Sequence, residues 1–131
     1  MRVEKAPKKN LQFIKLKDKK LVIANVHGLW NGIGKTDTPD RIEQSRKIKD
    51  FISKINNPKI LCGDFNLLPE TESVKMLEGD MINLIKKYNI KSTRSHHYTK
   101  AERFADYIFA SPDINVKNFE VLQEPVSDHL P

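Results

Sequence analysis

Residues 60–71 read ILCGDFNLLPET: a short apolar run, Ile60-Leu61-Cys62, passes through Gly63 into Asp64 and Asn66 and then into a turn at Pro69. Apolar runs of this length bounded by turn residues are buried strands. The stretch therefore predicts a strand that delivers a carboxylate and a carboxamide at its end. Two apart on an extended segment, Asp64 and Asn66 are expected to point the same way.

Upstream, LQFIKLK (11–17) and LVIANV (21–26), joined by Asp18-Lys19-Lys20, predict a hairpin. HGLWNGIGKTD (27–37) holds three glycines and no periodicity, so it reads as a loop. Thr38 offers a cap and Pro39 a first-turn residue for a helix to about Ile55, with Ile42, Ile48, Phe51, Ile52 and Ile55 as its apolar stripe. Downstream, helical pieces are expected around 71–78 and 80–88, opened by Thr71 and Asp80. The segment 89–103 looks irregular and basic, and strands follow at 104–110 and 115–122, divided by a Ser-Pro-Asp turn. That order describes one α/β (α+β) domain, a sheet with helices against it, preceded by a loose leader at 1–10.

Composition agrees with a single soluble domain: 131 residues, 38% hydrophobic and 31% charged, leave enough apolar material for one core and no more. No apolar run approaches the roughly 18 residues needed to cross a bilayer, and MRVEKAPKKN lacks the apolar stretch of a secretory signal. This fixes no compartment, the cytoplasm being the default. Lysine plus arginine exceed acidic residues 23 to 17. Such an excess suits a polyanionic partner, but seven of the lysines fall within the first 20 residues, where they also serve as a solvated tail and hairpin edge. Cys62 is alone, so no internal disulfide forms, and its apolar strand predicts a buried thiol.

Polar groups recur where strands end: His27, Asp64 with Asn66, Asp106, and Asp128 with His129. Hydrolysis of a phosphoester needs a hard divalent cation, a group that orients or deprotonates water, and donors for the developing charge. Asp and Asn offer oxygen ligands of the kind magnesium takes, and an Asp against a His fixes the imidazole's tautomer. Each residue also has a plainer reading. Asp-Phe-Asn is an ordinary turn in which side chains bond their own backbone, Asp128-His129 a surface turn, and His96-His97 a solvent-exposed pair without further zinc ligands. Asp106, inside an apolar strand, resists that reading because a buried carboxylate needs a partner.

Taken in order, NVHG, GDFN, DYIF and SDHLP resemble the endonuclease/exonuclease/phosphatase superfamily, and the resemblance covers residues 11–131. It implies a hydrolase of phosphoester bonds that depends on magnesium, or manganese. It also implies a largely antiparallel mixed sheet with helices on one face, half of a four-layer α/β/β/α sandwich. By that likeness Asp64 orients or activates water, Asn66 sits beside it on the phosphate, and Asp106 pairs with His129, which binds or protonates a phosphoryl oxygen. Asp128, with Asp64, lies by the metal, and His27 assists at the leaving group. Members of the family run to about twice this length and carry an Asn and a metal-binding Glu in their first half. Neither motif precedes His27, and Glu124 of VLQEP stands in the wrong place for the second. The chain is thus expected to be the C-terminal half of such a domain, inactive alone, with the N-terminal half as its natural partner.

For the substrate, nucleic acid is the reading that the basic balance favours, with Arg94, Arg103 and Trp30 (together with Lys100 and Tyr98) as contacts to backbone and base. Lipid or sugar phosphates are the alternatives for an enzyme. A non-catalytic nucleic-acid-binding remnant is the alternative from another class.

Overall fold

The structure, a computed structural model, describes residues 11–131; the leader at 1–10 lies outside the described residues. Eight elements follow one another: β1 (Leu11–Leu16), β2 (Leu21–His27), α1 (Pro39–Ser53), β3 (Lys59–Asp64), α2 (Glu72–Glu78), β4 (Ile82–Asn83), α3 (Leu84–Lys87) and β5 (Asp106–Ala110). The strands form one mixed sheet in the order β1-β2-β3-β5-β4, in which the β2–β3 pair is parallel and the others antiparallel. A parallel pair needs a crossover, and α1 supplies it. The helix starts where Thr38 accepts from the Arg41 N–H, with Pro39 in the first turn, where a missing N–H costs nothing.

Strand alternation divides the sheet into two faces. Ala24, Val26, Leu61, Tyr107 and Phe109 turn to one side and form the core with Ile48 and Ile52 of α1 and Val74 and Leu77 of α2. Phe65, Tyr107 and Phe109 meet there edge-to-face or stacked at centroid distances of 5.6–5.9 Å. Ile23, Ile60, Cys62 and Ile108 occupy the other side; they are half-buried and lie outside that core.

Tyr107 is buried in the core, and its hydroxyl donates to the Leu67 carbonyl at 2.7 Å. Burial, together with nearby Glu70, pushes the phenol well above its usual range. Tyr107→Phe is expected to cost about 1–3 kcal/mol, because it strands a buried acceptor. A lowered urea midpoint with an unchanged slope would report that loss.

Three expectations need correction. The segment 115–122 is not a strand: Phe119 and Val121 pack on the core, but apart from Leu122 N–H to Pro131 no ladder forms. The single helix expected over 80–88 is divided, because Ile82–Asn83 pair with β5 and Asn83, not Asp80, then caps α3 by accepting from the Lys86 N–H. Asp106 stands at the first residue of β5 and not within it, since residues 104–105 precede the ladder. Cys62 is half-buried, with its thiol 3.5 Å from the Ala24 carbonyl, and burial raises its pKa.

Candidate active site

Register places three of the motifs in one row. His27 pairs with Asp64 across β2–β3, and Asp64 pairs with Asp106 across β3–β5. Paired residues share a face, so the three side chains stand together at the sheet's end. Two close approaches make the row possible. Gly28 donates to the Asp64 carbonyl, and a Cβ on Gly28 would lie 2.3 Å from the Phe65 carbonyl oxygen. Phe65 itself drops into the core, 2% exposed, which anchors the turn that follows Asp64.

Asn66 does not continue the extended segment, contrary to expectation. It has φ +52°, its N–H donates to Asp64 Oδ1 at 3.0 Å, and its Nδ2 donates to the Gly28 carbonyl at 3.2 Å. Asp-Phe-Asn is therefore a turn in which a side chain bonds its own backbone, and that same turn fastens β3 to the end of β2. Asn tolerates the left-handed conformation better than most residues.

His129 reaches this row from the far end of the chain. The segment 127–130 is tied to 93–95 by Leu130 N–H to Thr93, Ser95 N–H to Asp128, and an isolated bridge between Arg94 and His129. Thr93 Oγ1 in turn accepts from the N–H groups of Ala105 and Asp106. The result sets His129 Nδ1 2.8 Å from Asp106 Oδ2 and His129 Nε2 3.8 Å from Asp64 Oδ2. Arg94 Nη1 lies 2.7 Å from Nε2. A guanidinium can only donate, so Nε2 accepts and the imidazole proton sits on Nδ1, where it donates to Asp106. Burial raises the pKa of Asp106, and the His129 hydrogen bond only partly offsets it.

Asp64, Asp106 and His129 offer ligand atoms within 4.8 Å of one another. The fit to magnesium is good on its donors: two carboxylates supply hard oxygens, and this ion usually keeps its remaining positions for water and substrate. Asp128 stands apart from that group; its carboxylate accepts from Arg94 Nη1 at 3.0 Å and is half-exposed.

A cleft of about 300 Å3 opens beside the row, lined by His27, Trp30, Asn66, Arg94, Asp128 and His129 together with Lys35, Tyr98 and Lys100. The Trp30 loop is pinned from behind. Arg41, 1% exposed, donates to the carbonyls of Thr36 and Gly34 and to Asn31 Oδ1, and Asp37 accepts from the Glu72 and Ser73 N–H groups at the start of α2. Burial would raise the Asp37 carboxyl, but its bonds to Ser73 and Glu72 outweigh it and hold the pKa below the usual value. Arg103 is not brought into the cleft: its guanidinium donates to the carbonyls of Tyr98, Arg94 and Ser95 and shapes the loop instead. His96 and His97 are exposed, as is Glu124. Lys35 is the lining residue that sequence reasoning missed, since nothing in GIGKTD distinguishes it from a solvated loop lysine.

Comparison with known proteins bears on this arrangement. No curated protein matches the chain. A family protein of Bacteroides thetaiotaomicron superimposes with a TM-score of 0.69 at 25% identity, over 92% of this chain and 50% of that one. A mannosyl-6-phosphatase of the same organism gives 0.64 at 23% identity, over 92% and 53%. The catalytic domain of human Nocturnin gives 0.53 at 23%, over 92% and 48%. The chain thus spans about half the length of the structures it is similar to. The sequence profile of the Endonuclease/Exonuclease/phosphatase family matches residues 14–129, from β1 to the histidine beside Asp106, and the chain belongs to that family.

Proposed function

We propose that the chain carries one half of the active site of a divalent-metal-dependent phosphoesterase, acting on phosphodiester or phosphomonoester bonds and, by its charge, on nucleic acid. The observation that supports it most is the Asp64–Asp106–His129 group, whose His129 lines a cleft together with Lys35, Arg94 and Lys100. Asp64 orients the attacking water and takes its proton. Asp106 holds the imidazole of His129 and stabilises its imidazolium, so that once substrate displaces Arg94 a protonated Nε2 donates to a phosphoryl oxygen. Asp128 aims the Arg94 guanidinium, whose planar fork suits phosphate. Asn66 fixes the turn that presents Asp64 and keeps one amide N–H for the phosphate. His27 acts at the leaving group, and Trp30 flanks whatever that group carries. Asp64 and Asp106 would hold magnesium or manganese, which would supply positive charge for the phosphoryl oxygens.

In this reading Ile23, Ile60, Cys62 and Ile108, the face outside the core, receive a second layer carrying the remaining metal carboxylate. That is the N-terminal half of the same domain, and turnover belongs to the two halves together. The test is hydrolysis of a generic phosphodiester with magnesium, with chelator, and after metal is added back, for the chain alone and for the chain with that second half supplied. Expected is chelator-sensitive turnover that requires the second half and disappears in Asp64→Ala and His129→Ala. Chelator-insensitive nucleic-acid binding without turnover in both forms would favour the binding module instead. Turnover of a sugar or lipid phosphate alone would remove the nucleic-acid part of the proposal.

A further inference from the structure

Lys35 lies in the loop between β2 and α1 and is 1% exposed. Its ammonium donates one hydrogen bond, to the Phe104 carbonyl at 2.8 Å, and stands 4.7 Å from the centre of the Tyr98 ring. Its backbone N–H goes to the Glu102 carboxylate, yet the ammonium forms no ion pair with any carboxylate among the described residues. A lysine has three donors. One carbonyl and one ring face fall short of what a buried unit charge requires, because burial without a counter-ion is costly.

The neighbouring cations make the contrast plain. Arg41 is as deeply buried as Lys35, but it spends its guanidinium on three oxygens of its own loop and acts as a clamp. Arg94 lies 4.1 Å from the same Tyr98 ring as Lys35 and has Asp128 as its counter-ion. Arg103 is a third cation on that ring, at 5.8 Å, and is held by loop carbonyls; of the two that line the cleft, only Arg94 has a carboxylate partner among the described residues. Lys35 lines the same cleft as His27, Asn66 and His129.

We propose that Lys35 is an oxyanion-binding residue of this cleft, whose ammonium completes its missing ion pair with a phosphate oxygen of the substrate. The proposal rests on the phosphoesterase reading for the identity of the substrate, and on Lys35's own surroundings for the binding of the anion. Two positions present the same chemistry: an oxygen of the scissile phosphoryl group, or one of a neighbouring phosphate that does not react.

The probe is inorganic phosphate, titrated calorimetrically into the whole chain. Lys35→Met keeps the apolar stem and removes the charge, and should weaken phosphate by about tenfold or more, the loss of one charge-assisted bond. Lys35→Arg should keep affinity within about threefold. Unchanged affinity in folded Lys35→Met overturns the proposal. A measurement without substitution covers the case of a variant that fails to fold. Lys35 is the one fully buried lysine among the described residues, so its ammonium exchanges slowly and its 15N signal can be followed in the wild type. Phosphate should shift that signal, and an unmoved signal overturns the proposal equally.

Turnover by the complete domain then separates the two positions. An equal loss of kcat/KM for Lys35→Met on a minimal diester and on one with flanking phosphates assigns Lys35 to the scissile group; a loss confined to the longer substrate assigns it to the neighbour. Phosphate bound through Lys35 with no magnesium-dependent turnover of any substrate would remove the enzyme reading and leave the anion site standing. Turnover and phosphate binding that are both indifferent to Lys35 would do the reverse.

Discussion

Asp106→Asn is expected to lower kcat of the proposed enzyme by about 100- to 10,000-fold, the range for losing the action of a positioned acid or base, while the fold stays at least as stable as before. The two effects have one source. Asp106 is half-buried and only His129 among the described residues lies in ion-pair range of it, so its carboxyl titrates above the usual value. A folded-state pKa above the unfolded one means that the fold prefers the neutral acid. The wild type therefore loses stability as pH rises from the unfolded carboxylate range through the raised value, and keeps none of that penalty below it. Asparagine, nearly the same shape and always neutral, escapes this, and its carbonyl still accepts from His129 Nδ1. What it loses is the charge that stabilises an imidazolium when His129 takes a proton, and with it one of the two carboxylate charges offered to the metal. Thermal melts of both proteins across the carboxylate range should converge at low pH and separate above it, with the variant on top. A variant that melts lower at every pH would show that the Asp106–His129 pair holds the fold together and was not kept at the fold's expense.

The division between what the sequence made legible and what it hid follows the physics of each signal. The β1–β2 hairpin, β3 and α1 were readable because alternation, a short apolar run and Thr38-Pro39 are local facts about neighbouring residues. Residues 115–122 alternate just as convincingly, but a strand needs a free edge beside it. Here Phe119 instead packs on Tyr88 at 5.5 Å, and the apolar residues are spent on packing without a ladder. β4 has two residues, too few to leave any pattern. In the site, His27, Asp64, Asp106 and His129 could be named from motifs at strand ends, and register brings the first three into a row. The Asp106–His129 pairing came with the family resemblance; other pairings that depend on side-chain reach could not be read. Asp128 meets Arg94 in place of the Asp64–Asp106–His129 group, Arg103 turns to carbonyls of its own loop, and Lys35 is buried only because residues 98–104 fold over it. Each of these is decided by a loop whose path no periodicity encodes.

Gly63→Ala should be the most damaging single methyl group in the molecule, costing about 4 kcal/mol or more, at the exceptional end for point substitutions. Gly63 sits within β3 at φ +143°, a conformation that side chains avoid, and a Cβ there would lie 1.9 Å from the Val26 carbonyl oxygen, inside any permitted contact. The clashing atom is backbone in the adjoining parallel strand, so no side chain can swing away; β2 and β3 must separate where Val26 pairs with Gly63. That separation would also pull apart the next pair in register, His27 with Asp64. The glycine before Asp64 is therefore a condition both for the sheet and for the row of site residues. Gly32→Ala is the control. It too has positive φ, +77°, but nothing stands within 4 Å of its Cβ, so it pays only the left-handed strain of about 1–2 kcal/mol. Chemical denaturation of the two variants should place Gly63→Ala near or past the limit of folding, given a total stability on the order of 5–15 kcal/mol, with Gly32→Ala close to wild type. Similar losses for both would mean that backbone conformation dominates at each site and that the strands at Val26–Gly63 can open at little cost. The tight crossing would then no longer explain why glycine precedes the carboxylate.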